Sequence, residues 1–297
     1  MANPAAPMKT GTIPFTYEGE TYSTYYVVFG DLENRTKDPL VVVHGGPGLV
    51  HNYLLPFSDI AVTTNTPVIL YDQIGNGKST HLRDKPQEFW KIPLWVDELA
   101  NLLAYFHIED SYNLVGHSWG GILGAEFTVR RTPKGLKKLV LSNSLASTAL
   151  WNQSNAQLMQ KFPEWVQEGL RGGMKDPAKY KVALEAYHAV HGVAVVPTPE
   201  EVVYTMGQVF WEEGDPTVGN APVLKDWTII DRLNQIHVPT LIINGRQDIS
   251  QDFVIAPFWA KIPKVKWLTF EKSSHQPFWE ERELYFQRIV QFLELEV

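Results

Sequence analysis

The chain has 297 residues, a formal net charge of −7 and no cysteine, with 44% hydrophobic and 20% charged residues. That length is ample for a sizeable buried core, and the composition is that of an ordinary globular protein. The acidic balance argues against nucleic acid or an anionic membrane as partner, since either favours a basic face. Absence of cysteine excludes a disulfide framework, a thiolate metal site and a cysteine nucleophile. No run approaches the roughly 20 apolar residues that span a bilayer. The start, MANPAAPMKTG, has no apolar stretch of the signal-peptide kind, so a cytoplasmic location is the expectation. Ten tryptophans suggest an apolar pocket lined by rings.

The first elements alternate between strand and helix. Residues 11–30 predict a strand pair turning at Glu18-Gly19, and PLVVVHGGPG (39–48) is a β-branched run ending in glycines, the pattern of a strand buried on both faces. TPVILYDQIGNGKS (66–79) repeats that plan. A helix is predicted over 95–110, a buried strand over 112–118, a helix over 119–131 and a strand over 136–144. From Leu145 to Leu224 the alternation gives way to helical segments separated by glycine and proline signals. It resumes with strands at 238–248 and 265–270 and a last amphipathic helix. Crossover units of this kind predict a mostly parallel sheet flanked by helices. The expected division is a core over 1–144 and 225–297, interrupted by a helical cap over 145–224.

NLVGHSWGG (113–121) carries the chemistry. A Gly-x-Ser-x-Gly segment between a buried strand and a helix is the nucleophile elbow of the α/β-hydrolase pattern, with Ser118 on the tight turn and small Gly116 and Gly120 beside it. A serine hydroxyl needs a base, and the base needs a group to orient it. In this pattern the order along the chain is serine, acid, histidine, with the partners at the carboxyl ends of strands. His275 follows the strand 265–270 through a short polar loop, and Asp248 follows the strand 240–244, with Asp252 as the alternative acid. Gly46, in HGGPG after an earlier strand, and Trp119, directly after the serine, are the candidate backbone donors to an oxyanion.

Other clusters carry less. GNGKS (75–79) resembles the tail of a phosphate-binding loop but has Asp72 where the leading glycine belongs. Glu185, His188 and His191 stand at three-residue spacing, unlike the four-residue spacing of a zinc-binding helix, and read as a solvated face. No metal site is expected.

HGGPG (44–48), DQIGNGKS (72–79), GHSWGG (116–121), LKDW (224–227), VPTLIINGRQD (238–248) and SSHQPFWEE (273–281) together resemble the proline iminopeptidase branch of the α/β-hydrolases. The resemblance implies a helical cap over the site and hydrolysis through an acyl-enzyme without a cofactor. It also implies a small amide or short-peptide substrate carrying an N-terminal proline or another apolar residue. The family's amine-anchoring carboxylates fall at positions occupied here by Thr217 and Ile249, and the family's DQRG reads DQIG, with Ile74 in place of arginine. A buried ammonium needs a paired carboxylate, so the two changes favour an esterase, a lactonase or another hydrolase, or a lyase or cyclase, acting on a neutral apolar molecule. Glu212 and Glu213 stand close by as replacements, with Asp215 beside them. Trp151, Phe162, Trp165, Tyr204, Phe210 and Trp211 are the candidate pocket aromatics.

Overall fold

A computed structural model describes residues 9–210 and 214–295. Eight strands form one sheet: β1 (Lys9–Tyr17), β2 (Glu20–Phe29), β3 (Leu40–Val43), β4 (Val68–Tyr71), β5 (Tyr112–His117), β6 (Leu136–Ser142), β7 (Thr240–Gly245) and β8 (Val265–Phe270). Their spatial order is β1-β2-β4-β3-β5-β6-β7-β8. The β1–β2 and β2–β4 pairs are antiparallel and all later pairs are parallel. β3, β4 and β5 are buried at every position, which is why they read as unbroken apolar runs rather than as alternating ones.

The helices are α1 (Ser58–Thr64), α2 (Ile92–Tyr105), α3 (Trp119–Arg131), α4 (Thr148–Met159), α5 (Glu164–Gly172), α6 (Pro177–His191), α7 (Glu200–Phe210), α8 (Thr217–Asn220), α9 (Asp252–Lys261), α10 (Pro277–Glu280) and α11 (Arg282–Leu293). Two apolar layers cover the sheet. Trp95 and Leu99 of α2, Trp119 and Ile122 of α3, and Val254 and Phe258 of α9 pack on one face. Phe57, Ile60 of α1 and Tyr285 and Ile289 of α11 pack on the other. Helices α4 to α8 intervene between β6 and β7. No helix among the described residues is long and apolar enough to cross a membrane.

The chain leaves β3 toward β4 on one side and returns to β5 on the other. In an open parallel sheet, a crevice opens at the carboxyl ends of strands where the order reverses in this way. HGGPG follows β3 and Ser118 follows β5, so both loops lie at that switch point.

Candidate active site

Ser118 sits between β5 and α3 with φ 55° and ψ −118°, a conformation that costs an L-residue free energy and that only a tightly constrained turn maintains. The two glycines make the turn possible by close approach. A Cβ on Gly116 would lie 2.1 Å from the Gly120 carbonyl oxygen, and one on Gly120 would lie 2.1 Å from the carbonyl oxygen of Val43. The turn is anchored by Ser118 N–H donating to Ser142 O at 2.9 Å and by Ser144 Oγ donating to Ser118 O at 2.9 Å.

Asp248 and His275 meet at the expected edge of the sheet. His275 Nδ1 donates to Asp248 Oδ1 at 2.6 Å, which leaves Nε2 as the ring's lone-pair nitrogen. The Asp248 carboxylate is 1% exposed and fully engaged. Oδ1 also accepts from Ser250 N–H at 2.8 Å, and Oδ2 accepts from Asn143 Nδ2 at 2.6 Å and from Gly245 N–H at 3.3 Å. Asp252 is the first residue of α9 and bonds Asn244 and Arg246 instead, so the alternative acid is not in contact with His275. Asn143 was not singled out in the sequence. It follows β6, accepts Ser142 Oγ–H, and holds both Asp248 and the Ser274 carbonyl.

The loop after β3 is held by its own side chains. His44 Nε2 accepts Gln73 N–H at 3.0 Å, so Nδ1 carries the proton and donates to Gly45 O at 2.9 Å. Burial pushes His44 down to about 4, which keeps the ring neutral. Pinning Gly45 O also sets the direction of Gly46 N–H, because a trans peptide is planar with its C=O and N–H opposed. Gly46 N–H and Trp119 N–H have no hydrogen-bond partner among the described residues. Gln73 ties the two loops together: its Nε2 donates to His44 O at 3.1 Å and its Oε1 accepts Trp119 Nε1–H at 2.8 Å. The second residue of DQIG is therefore a bridge. Asp72 is a structural acceptor for His51 N–H, His51 Nδ1 and Lys78 N–H.

Ser118, His275 and Gly46 open on one cavity of about 520 Å³, shared with Pro47, Trp151 and Ile249 among others. Trp151 and Phe210 line it as expected, and the Trp151 ring lies 5.8 Å from that of His275. Trp165 and Tyr204 do not: they are 52% and 45% exposed, because α5 and α7 turn those positions outward. Phe162 packs on Tyr187 and His191 within the helical segment. Trp211, Glu212 and Glu213 lie outside the described residues.

Two further expectations are corrected. The Glu185-His188-His191 face is not a solvated one, since only Glu185 is exposed. His191 is buried and donates from Nδ1 to Gln247 O at 2.7 Å, while His188 lines the cavity. Burial, then the nearby His275 and His191, pull His188 down to about 4, so it faces the cavity as a neutral ring. Asp215 is not free to receive a substrate amine. It accepts from His81 Nδ1 at 2.5 Å, Arg83 Nε at 3.1 Å and Thr217 Oγ1 at 2.6 Å. Burial opposes its ionisation, but these hydrogen bonds outweigh burial and hold the carboxyl down to about 2. No aspartate, glutamate, lysine or arginine is among the described residues lining the cavity.

Glu98 of α2 is fully buried, accepts Thr24 Oγ1–H at 2.5 Å and Ile74 N–H at 3.0 Å, and has no cationic partner among the described residues. Burial pushes its carboxyl up to about 8.

The family model for the alpha/beta hydrolase fold matches residues 38–282. The chain belongs to the α/β-hydrolase fold family. Within it, the hydrolase is similar to the proline iminopeptidase of Lactiplantibacillus plantarum, 32% identical over 92% of this chain and 97% of that one. Among solved structures it resembles VinJ, with 38% identity, a TM-score of 0.89 and coverage of 97% and 99% of the two chains. The proline iminopeptidase of Mycobacterium smegmatis superposes with a TM-score of 0.84 at 34% identity, covering 96% of this chain and 97% of that one. The protein is a hydrolase of proline iminopeptidase-like type.

Proposed function

We propose that this enzyme cleaves a small amide or ester through an acyl-enzyme formed on Ser118. The observation that carries the reading is the 2.6 Å His275–Asp248 contact on the same cavity as a serine held at φ 55°. Ser118 Oγ attacks the acyl carbonyl while His275 Nε2 takes its proton, and the carbonyl oxygen gathers negative charge. Gly46 and Trp119 N–H donate hydrogen bonds to that oxygen. Collapse of the tetrahedral intermediate breaks the bond to the leaving group, to which His275 returns the proton. Water then attacks the acyl-enzyme while His275 Nε2 takes its proton, and collapse breaks the bond to Ser118 Oγ, which receives that proton as the acid product leaves. Asp248 holds His275 in the Nδ1–H tautomer throughout and stabilises the imidazolium. Residues 145–224 act as a cap that closes the cavity from above.

The substrate class divides two readings. In the first, a free amine is bound as in an aminopeptidase. Because the described lining carries no aspartate or glutamate, its anchor would be Glu212 or Glu213, which stand in the chain between the lining residues Phe210 and Pro216. In the second, the substrate is neutral and apolar. Ile249 on the cavity wall and Thr217 bound to Asp215 favour that reading, since both occupy positions where the family resemblance implies carboxylates.

The test is a panel of proline and alanine arylamides beside N-capped arylamides and simple esters, with wild type and Ser118→Ala. Loss of all turnover in Ser118→Ala with folding retained is expected for either class. Cleavage confined to free amines, with KM rising in Glu212→Gln or Glu213→Gln, selects the first reading. Cleavage of capped amides and esters unaffected by those changes selects the second. A folded protein whose Ser118 is not labelled by a fluorophosphonate would sink both.

A further inference from the structure

Three hydrogen bonds run behind the candidate nucleophile from one main-chain segment to another. Gly45 N–H donates to Tyr53 Oη at 2.6 Å, Tyr53 Oη contacts His117 Nδ1 at 2.8 Å, and His117 Nε2 contacts His275 O at 2.8 Å. The directions follow from the ends. A backbone carbonyl only accepts, so His117 Nε2 carries a proton; the neutral ring then accepts at Nδ1, and the tyrosine hydroxyl donates to it while accepting from Gly45. Burial, then the neighbouring His275, hold His117 well below the usual histidine range, so the ring stays neutral.

We propose that His117 and Tyr53 are positioning residues that set the oxyanion-binding loop and the catalytic histidine in register across the nucleophile. The proposal rests on the serine-hydrolase reading given above. Gly45 O belongs to the peptide that presents Gly46 N–H and Gly45 N–H to the peptide before it, and His44 holds the first and Tyr53 the second. At the far end, His117 fixes the main chain of His275 itself, while Asp248 fixes its ring. The packing leaves little slack: a Cβ on Gly45 would lie 3.0 Å from Tyr53 Oη and 3.2 Å from Ser118 Cβ. Tyr53 is in turn fixed by its backbone, with Trp279 Nε1 donating to Tyr53 O at 2.8 Å and Tyr53 N–H donating to Thr205 Oγ1 of α7 at 3.2 Å. His117 lines the same cavity as Ser118 and His275, but both of its ring nitrogens are committed to Tyr53 and to His275 O. The contribution of His117 and Tyr53 is geometric, and it falls on the transition state because only there does the oxyanion form.

The role requires an acceptor at one end of residue 117 and a donor at the other. Glutamine supplies both and leucine neither, which separates hydrogen-bonded positioning from simple volume filling. The experiment compares Tyr53→Phe, His117→Leu and His117→Gln with wild type. The readouts are thermal unfolding, kcat and KM on the best arylamide or ester, and the second-order rate of fluorophosphonate labelling at Ser118. Displacing a reacting group by about 1 Å costs on the order of 10²-fold in rate. Tyr53→Phe and His117→Leu are therefore expected to lose about 10- to 100-fold in kcat and in labelling rate, with KM within about twofold of wild type. His117→Gln is expected to recover most of the loss seen in His117→Leu. Labelling needs no knowledge of the substrate, so wild-type labelling preserves the serine-hydrolase reading whatever the variants do. The proposal fails if folded Tyr53→Phe labels at the wild-type rate, or if folded His117→Gln is as slow as His117→Leu. Should Tyr53→Phe not fold, the Gln–Leu comparison at position 117 decides alone.

Discussion

Asn143 Nδ2 lies 2.6 Å from Asp248 Oδ2, so the carboxylate that orients His275 is itself oriented from β6, the strand next to its own. The same amide reaches the Ser274 carbonyl at 3.3 Å, one residue before the histidine. One side chain thus ties Asp248 and the main chain before His275 to a common strand end.

Replacing Asn143 by alanine removes the strongest donor to Asp248 Oδ2 and leaves the backbone bond from Gly245 at 3.3 Å. A charge-assisted hydrogen bond of this kind contributes about 1.5–3 kcal/mol, shared between stability and placement of the acid. The expected outcome is a fall in kcat of roughly tenfold or more with a lowered Tm. Steady-state kinetics with thermal melts checks it; unchanged kcat in a folded variant would show that Asp248 is set by the loop alone.

The strain at Ser118 predicts an opposition between activity and stability. Glycine adopts φ 55°, ψ −118° without the Cβ conflict that serine meets. Ser118→Gly is expected to raise stability by about 1 kcal/mol while abolishing turnover. Denaturant unfolding of wild type, Ser118→Gly and Ser118→Ala tests this, with alanine, which keeps the Cβ, gaining less than glycine.

Glu98 makes stability depend on pH. Its folded value of about 8 lies above the roughly 4.3 of an unfolded glutamate. Below about pH 4 the group is protonated in both states, so it adds no pH-dependent term. As pH rises to about 8 the unfolded chain releases a proton that the folded chain keeps, and stability falls across that window before levelling off. Glu98→Gln mimics the protonated form and removes this slope. The variant is expected to exceed wild type by roughly 1–3 kcal/mol near pH 7.5 and to converge with it only below about pH 4. Equal pH slopes for the two proteins would contradict the burial argument.

The sheet was legible because strands buried on both faces leave unbroken β-branched runs, as in Leu40–Val43 and Tyr112–His117. The elbow was legible because its geometry permits little but glycine at 116 and 120. Asp248 and His275 followed from strand ends and chain order. Asn143 did not, because an amide after a strand carries no signal until its partner's position is known. His191 was misread for a related reason: three-residue spacing on α6 gives the relative placement of side chains, but not which face meets the core. Trp165 and Tyr204 do not line the cavity, and the sequence of α5 and α7 does not say which face of each helix turns inward. Glu98 gave no warning either, since a glutamate in an amphipathic helix looks solvated until its neighbours are seen.

The loop bearing Asp248 is gripped from outside the sheet as well: His191 holds Gln247 O, and Ser154 Oγ donates to Ile249 O at 2.5 Å. Two side chains of the segment between β6 and β7 thus hold the main chain on either side of Asp248. A helical segment transplanted from a relative to change selectivity would have to bring donors at the equivalents of 154 and 191. Without them the graft is expected to loosen the loop that carries Asp248, whatever it does to selectivity.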